Sequence, residues 1–488
     1  MASRRRAPLA PYLRAVAERS RELPFSYLPG GLDARLYLDD VYCAPTFREV
    51  SRTLAIAPEG TVSAAGSESQ LGARKPEKAF AAGRSSGSSV TREVYLHEAL
   101  YRSGQVAIIG AMGTGKSMVA QRITSNLAAG RGQSEYGLPP NTVPIMVRLG
   151  DVPARPEATM ETVALDAAAR QVPEADRQST RSALAAEWQA GRVILILDAV
   201  DEYPGRLGWI RAELTNLRAA SVRTVLTSRP AAYEQSGIHG SDIAMADLAE
   251  SESRLGYIRR WASALAQLPD LECPDPVGFA NNLEARLLDQ PLVRELAGNR
   301  LLLSLLIVLT LQDRSLDLGT VRSRAWLLRD YLNQVAKWEA GKGRSEPGLY
   351  GIKTLLDVLG VAGFLVHLAA TSASTGGDTG QAVSFWTVRD VVAGWPGCPE
   401  QPSKSAAAEA ILEFWLRTGF IFKDGDANGT LRFRHLAFQY LAAAIGWGLL
   451  EASYLRNLPR NPLQAERWGT VRELFEELRQ PDVEFKQV

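Results

Sequence analysis

An α/β fold with a doubly wound parallel sheet is predicted for the first half of this 488-residue chain. Short apolar, β-type runs at 105–109, 143–149, 193–197 and 223–228 alternate with helix-like segments. A glycine-rich loop joins the first run to the helix that follows it. Strands that alternate with helices pair in parallel and bury both faces of their sheet. The second half of the chain carries mostly helical patterns, so the whole protein is expected to be rich in helix.

The glycine-rich loop is Gly110-Ala-Met-Gly-Thr-Gly-Lys116-Ser117, which fits the phosphate-loop (P-loop) pattern G-x-x-x-x-G-K-[ST]. Its glycines let backbone N–H groups curl around an anion, and the helix N-terminus adds partial positive charge. The lysine would reach the β- and γ-phosphates, and the serine hydroxyl would ligate Mg²⁺. The sequence therefore predicts ATP or ADP with Mg²⁺ as cofactors, bound by Gly110, Gly113, Thr114, Gly115, Lys116, Ser117 and Met118.

An acidic motif follows the run at 193–197, which ends in Asp198-Ala-Val-Asp201-Glu202. A buried parallel strand delivers Asp198 at its carboxyl end, beside the loop, where an acid can hold the Mg²⁺ hydration shell. Either Asp201 or Glu202 could orient or deprotonate an attacking water, and the sequence leaves the choice open.

The next strand ends in a cation, within Arg223-Thr-Val-Leu-Thr-Ser-Arg229-Pro230. Arg229 could face a γ-phosphate or the charge that develops during phosphoryl transfer. Downstream of the two preceding motifs, this segment indicates a nucleotide sensor.

These motifs resemble the NACHT family of signal-transducing P-loop ATPases, to which animal NOD-like receptors and many bacterial antiphage proteins belong. Leu-Ile-Leu-Asp198-Ala-Val-Asp201-Glu202 and Leu-Thr-Ser-Arg229-Pro230 are the first two similar segments. Gly298-Asn-Arg-Leu resembles a helix start of the family, and Phe433-Arg-His435-Leu-Ala-Phe-Gln resembles the end of its winged-helix domain. The resemblance covers roughly residues 94–450.

The resemblance implies a slow, regulatory ATP hydrolase that works as a switch. ADP would join the ATPase to the winged helix through a contact of His435 with the β-phosphate, and exchange for ATP would open the protein and allow homo-oligomerisation. Asp201, Glu202 and Arg229 would carry the chemistry. An antiphage role would add a trigger, such as a phage component, and an effector that acts in trans or lies outside this sequence.

Two positions depart from the family pattern. Arg300 stands where family members commonly carry a proline whose ring packs near the adenine. Gln439 is followed directly by Tyr440, without the glutamate that usually precedes the tyrosine.

The domain organisation follows from the patterns along the chain. Two short strand-like runs near 420–434 flank Asp424-Gly-Asp-Ala-Asn-Gly, which has turn chemistry, and helices before this hairpin describe a winged helix. We expect a helical pre-domain (1–55), an Ala/Gly/Ser-rich linker (56–93), the nucleotide-binding domain (94–245), a helical domain (246–318), the winged helix (319–450) and a helical tail (451–488).

Composition narrows the function classes. Fifty-five basic and 54 acidic residues give a net charge of +1, without a general polyanion-binding signature. Three cysteines argue against a disulfide framework and suit a reducing cytoplasm. The apolar run 301–311 is too short to span a membrane, so no membrane partner is expected.

Two alternatives from other classes stay open at this point. An AAA-type ATPase motor would show turnover without a trigger and would need an arginine from a second chain. A transcription regulator would use the winged helix on DNA. However, the helix before the hairpin carries two acids and one base within 405–418, whereas a DNA-reading helix needs cations.

Lys116→Ala is expected to lower nucleotide affinity at least about tenfold, because it removes the charge-assisted bonds that the loop offers to phosphates. Titration calorimetry with ADP and ATP measures the affinity, and far-UV circular dichroism checks that the variant is folded. Wild-type affinity in a folded variant would show that the loop is not the nucleotide site.

Overall fold

The computed structural model describes most of the chain. The described residues are 9–21, 23, 36–50, 92–153, 157–203, 205, 207–238, 241–248, 251–268, 271, 273–341, 349–372, 383–424, 429–450 and 462–479. The predicted linker 56–93 and the glycine-rich stretch after residue 372 lie almost wholly outside them.

A seven-stranded sheet forms the centre of the first half, in the spatial order β2-β1-β7-β3-β6-β5-β4. Strands β3, β4, β5, β6 and β7 are parallel, whereas β1 and β2 extend one edge antiparallel. The strands are β1 Phe47–Glu49, β2 Glu93–Val94, β3 Gln105–Ile109, β4 Val143–Arg148, β5 Val193–Asp198, β6 Arg223–Ser228 and β7 Ser241–Met245. The mainly parallel sheet that the sequence predicts is confirmed.

Helices cover both faces of this sheet. They are α1 Ala10–Arg21, α2 Leu38–Val41, α3 Leu96–Arg102, α4 Lys116–Ala128, α5 Gly132–Tyr136, α6 Met160–Ala169, α7 Glu174–Gln189, α8 Leu207–Ala219 and α9 Pro230–Ser236. Alternate residues of each central strand enter two different hydrophobic clusters, as for Leu195 and Ile196 of β5. Burial on both faces explains why these strands read as nearly continuous apolar runs.

Two parts of the sheet differ from the sequence prediction. Residues 47–49 were expected in a helical pre-domain, but they form β1 and pair with β7. Strand β7 itself is not predicted, because its five residues, Ser-Asp-Ile-Ala-Met, are too few and too mixed to show a strand period. Helix α1 does pack on the nucleotide-binding domain, where the Tyr12 hydroxyl donates to the Pro144 carbonyl of β4 (2.8 Å).

The second half is helical and shares one large core. Its helices are α10 Ser251–Leu265, α11 Pro276–Asp289, α12 Pro291–Leu296, α13 Arg300–Gln312, α14 Arg324–Gly341, α15 Ile352–Ser372, α16 Phe385–Gly394, α17 Lys404–Arg417, α18 Leu436–Leu449 and α19 Pro462–Arg479. Between α17 and α18, strands β8 Ile421–Asp424 and β9 Thr430–Phe433 form an antiparallel hairpin. The hairpin is present where the sequence predicts it; the winged-helix assignment of the surrounding helices stays a prediction.

One helix among the described residues is long and apolar enough to cross a membrane by length and composition, at Ile352–Thr371. Sixty-seven per cent of its apolar window is buried inside the protein. Val358 and Phe364 of this helix are fully buried in the helical core, which accounts for its apolar composition.

Glycines allow α15 and α18 to approach closely. A Cβ on Gly446 would lie 2.2 Å from the Gly360 carbonyl oxygen, a contact that neither backbone can relieve without moving. The close approach of the two helices therefore requires glycine at this crossing.

Gly446→Ala is expected to destabilise the protein by roughly 1–3 kcal/mol, through overpacking at this crossing. Gly469→Ala in α19 is the matched control, because a Cβ there meets nothing within 4 Å. The control should be neutral or stabilising by about 0.5–1 kcal/mol, since alanine is the better helix former. Urea unfolding measures both, and equal effects of the two substitutions would contradict the close crossing.

Candidate nucleotide site

The carboxyl ends of the parallel strands meet at one edge of the sheet. Ile109 of β3 pairs with Ser228 of β6, and Arg148 of β4 pairs with Asp198 of β5. Leu197 of β5 pairs with Leu226 of β6, so the four strands end close to one another. Clefts at this edge are the usual ligand sites of open α/β sheets. A cavity of about 200 Å³ lies here.

The P-loop lies at one wall of this cavity and has the backbone that anion binding requires. Gly113 and Gly115 adopt positive φ values of 81° and 101°, a region that side chains disfavour. Helix α4 begins at Lys116, directly after the second of these glycines. Five of the residues predicted to bind nucleotide line the cavity: Gly113, Gly115, Lys116, Ser117 and Met118.

Lys116 is held inside the loop. Its Nζ donates to the carbonyl oxygens of Gly110 (2.6 Å) and Ala111 (2.8 Å). Burial lowers the pKa of this lysine to about 8, with Arg229 adding to the effect and Asp201 opposing it. An anion in the cavity would reverse this shift, because it would favour the charged form.

Asp198 connects three elements. Its Oδ1 accepts from the Ser117 hydroxyl of α4 (3.1 Å) and from the Thr227 hydroxyl of β6 (2.6 Å). In the part of the chain that the structure describes, no group of three or more His, Cys, Asp or Glu side chains could hold a metal ion. The residues present fit a Mg²⁺ ion in the manner of P-loop proteins: Ser117 and Asp198 would supply two oxygen donors, and phosphates would supply others. Such an ion would neutralise charge on the phosphates.

Each of the two candidate bases is in an ion pair. Asp201 accepts from the Arg229 side chain (2.8 Å) and from its backbone N–H (3.2 Å). Glu202 accepts from Arg148 (2.8 Å). Burial raises the pKa of Glu202, and Arg148 lowers it by a smaller amount. A raised pKa makes Glu202 a stronger proton acceptor than a solvent-exposed glutamate.

His435 reaches the same cavity from the second half of the chain, together with Arg434 and Leu436. Its Nδ1 accepts from the backbone N–H of Ala437 and thereby caps α18 (3.1 Å). Burial lowers the pKa of His435 to about 4, with Arg148, Arg229 and Lys116 adding to the shift. The ring is therefore neutral at pH 7, and its proton is assigned to Nε2 by the capping bond.

Two predicted loop residues shape the site without lining the cavity. The backbone N–H of Gly110 donates to the Ser228 carbonyl (3.2 Å). Thr114 is buried, and its hydroxyl donates to the Ala111 carbonyl (2.9 Å). Both residues stabilise the fold of the loop through these hydrogen bonds, on the side of the loop that faces away from the cavity.

Several cavity residues were not predicted from the sequence. Arg148 is the clearest, because a charged residue that ends an otherwise apolar strand is the same signal that marks Asp198. Tyr257 and Ser304, whose hydroxyls are 2.9 Å apart, come from the helical segment and carry no motif. Arg300 was noted only as a departure from a family pattern, yet it lines the cavity beside Gly115.

A sequence model described as the NACHT domain matches residues 104–264. The match includes the P-loop, the acidic motif and strand β6 with Arg229 directly after it. The chain contains a NACHT domain. This finding makes the protein a nucleotide-dependent P-loop NTPase, as the sequence analysis expects.

Solved structures add little beyond this domain. Cdc6p from Pyrobaculum aerophilum is 12% identical with a TM-score of 0.25, covering 77% of this chain and 88% of its own. The Aeropyrum pernix ORC2 protein, in ADPNP–ADP complexes, is 13% identical with a TM-score of 0.29, covering 72% and 89%. The A. pernix ORC1 protein in complex with DNA is 15% identical at 0.27, covering 71% and 88%. TM-scores of this size support no conclusion about this chain, and no curated protein matches it.

Asp198→Asn in the NACHT domain is expected to lower Mg²⁺-dependent ATP hydrolysis strongly, because the change weakens the oxygen donor shared with Ser117. Glu202→Gln should spare ADP binding but slow hydrolysis by about 100-fold, the usual loss when a general base is removed. Phosphate release and ADP titration measure the two effects.

Asp201→Asn is the matched comparison for the choice of base. Slow hydrolysis in Asp201→Asn with normal hydrolysis in Glu202→Gln would make Asp201 the base. Normal hydrolysis in both variants would make the acidic pair structural.

Proposed function

We propose that this NACHT protein is an ATP/ADP-controlled signalling switch, with ADP holding a closed state and ATP favouring an open state that self-assembles. One observation carries the proposal: the nucleotide cavity is lined from both halves of the chain, by Lys116 and Arg229 on one side and by His435 on the other. A ligand that contacts both halves can bias how they dock, because it gains contacts in one arrangement only.

Further contacts join the two halves next to the cavity. The Arg229 guanidinium lies 5.2 Å from the ring centroid of Tyr440, a cation–π distance. Arg432 of the hairpin pairs with Asp151 (2.5 Å), which follows the strand carrying Arg148. Arg229 thus contacts an acid of the nucleotide site and an aromatic residue of the second half, so a γ-phosphate that attracts this cation would weaken the interface.

The two alternatives receive less support. An AAA-type motor would need an arginine from a second chain at its nucleotide site. Here two arginines of the same chain, Arg148 and Arg229, already line the cavity. A DNA-reading hairpin would use its cations to meet phosphates, and one of them, Arg432, is already paired with Asp151. The resemblance to NACHT proteins supports an antiphage role in the cytoplasm, with a trigger and an effector that this chain does not specify.

The proposal is tested first by the nucleotide that the purified protein carries. Denaturing the protein and analysing the released nucleotide by mass spectrometry is expected to give ADP, in a protein that turns over slowly without a trigger. Fast hydrolysis without a trigger would instead favour the motor.

His435→Ala is expected to release ADP about ten- to a hundredfold faster, because a charge-assisted hydrogen bond to a phosphate is worth roughly 1.5–3 kcal/mol. The ADP off-rate and sedimentation velocity measure release and assembly. His97→Ala is the matched control, since His97 is exposed on α3 and does not line the cavity. An unchanged off-rate in the folded His435 variant would leave His435 as a helix cap only.

A further inference from the structure

On its outer side, which faces away from the cavity, the P-loop is hydrogen-bonded to residues 299–301, where helix α13 begins. Three successive residues at the start of α13 donate to the carbonyl oxygens of three successive loop residues. The donors and acceptors are Asn299 Nδ2 to Met112 (2.6 Å), Leu301 N–H to Gly113 (3.0 Å) and Arg300 Nη1 to Thr114 (3.1 Å).

These bonds set the direction of the loop's N–H groups. A carbonyl and the N–H that follows it share one planar, trans peptide unit and point to opposite sides. Holding the Met112 and Thr114 carbonyls on the outer side therefore turns the N–H groups of Gly113 and Gly115 to the other side. Both glycines line the cavity, so the bonds from α13 favour the anion-binding form of the loop.

Arg300 is the unusual member of this set. It is 6% exposed, and its Nη1 also donates to the Ala246 carbonyl after β7 (3.0 Å). Among the described residues it forms no ion pair with a carboxylate, and its Nε has no hydrogen-bond partner. Burial lowers the pKa of this guanidinium, with Tyr257 and Asp247 opposing the shift.

A buried cation that no carboxylate of the described residues contacts directly is costly, and the charge of Asp247 acts on it only from a distance. The same guanidinium lines the cavity that contains Lys116. An anion in this cavity would compensate the positive charge of Arg300.

We propose that Arg300 is a positioning residue for the nucleotide's phosphates, which holds the Thr114 carbonyl and adds positive charge beside the loop. The inference rests on the proposed nucleotide site and deepens it. It makes phosphate affinity depend on a residue outside the P-loop, at the start of helix α13.

The experiment compares two ligands in the full chain: ADP and inorganic pyrophosphate, which has no base or sugar. Arg300→Met is expected to weaken both by the same factor, about tenfold or more, since a bond from a charged donor and its field are lost. Arg300→Lys keeps the charge and should lose less. Arg294→Met is the matched control, because Arg294 is exposed on the preceding helix and should leave both affinities unchanged.

Each outcome decides the question. A loss of ADP affinity with unchanged pyrophosphate affinity would place Arg300 against the base and overturn the inference. Unchanged affinity for both ligands, with only a lower unfolding temperature, would make the residue structural. If Arg300→Met does not fold, Arg300→Lys decides, with a smaller but equal loss for both ligands expected. Failure of the wild-type protein to bind either ligand would overturn the proposed function itself and this inference with it.

Discussion

The hydrogen bonds of Asp198 organise the nucleotide site. Thr227 donates to its carboxylate and accepts from the backbone N–H of Ala199 (2.8 Å), so β5 and β6 are joined near their carboxyl ends. Ser117 joins the same carboxylate from the first turn of α4. Ala199 takes a left-handed backbone conformation, with φ 61°, that alanine disfavours. This turn brings Asp201 and Glu202 back over the sheet edge, and the surrounding bonds hold it there.

The charges around the cavity are balanced in pairs. Arg229 faces Asp201, and Arg148 faces Glu202, so four charged groups at a partly buried site are compensated. Among the residues that the structure describes, Lys116 forms no ion pair with a carboxylate, and loop carbonyls accept from its Nζ instead. A phosphate would compete for Lys116 and Arg229 together. Nucleotide binding would therefore change the ion pair at Asp201 and the contact of Arg229 with Tyr440, which belongs to the other half of the protein.

Segments that are far apart in the sequence together form the nucleotide site. The NACHT domain supplies the loop and the acids, α13 supplies the donors behind the loop, and the residues after the hairpin supply His435. A switch needs a site of this kind, because the free energy of ligand binding can shift a domain equilibrium only through contacts that differ between its states.

The sequence by itself determined the elements whose signals are local. The P-loop, the strands ending in Asp198 and Arg229, and the hairpin follow from apolar period, glycine placement and turn chemistry, because those depend on neighbours in the chain. Tertiary structure decided the rest. The short strands β1 and β7 gain their stability from hydrogen bonds to each other and from β7 to β3. Sequences of three and five residues do not reveal such pairing. In the sequence, Arg300 is only a departure from a family pattern. In the fold, it donates to the carbonyl of Thr114, which lies 186 residues earlier in the chain.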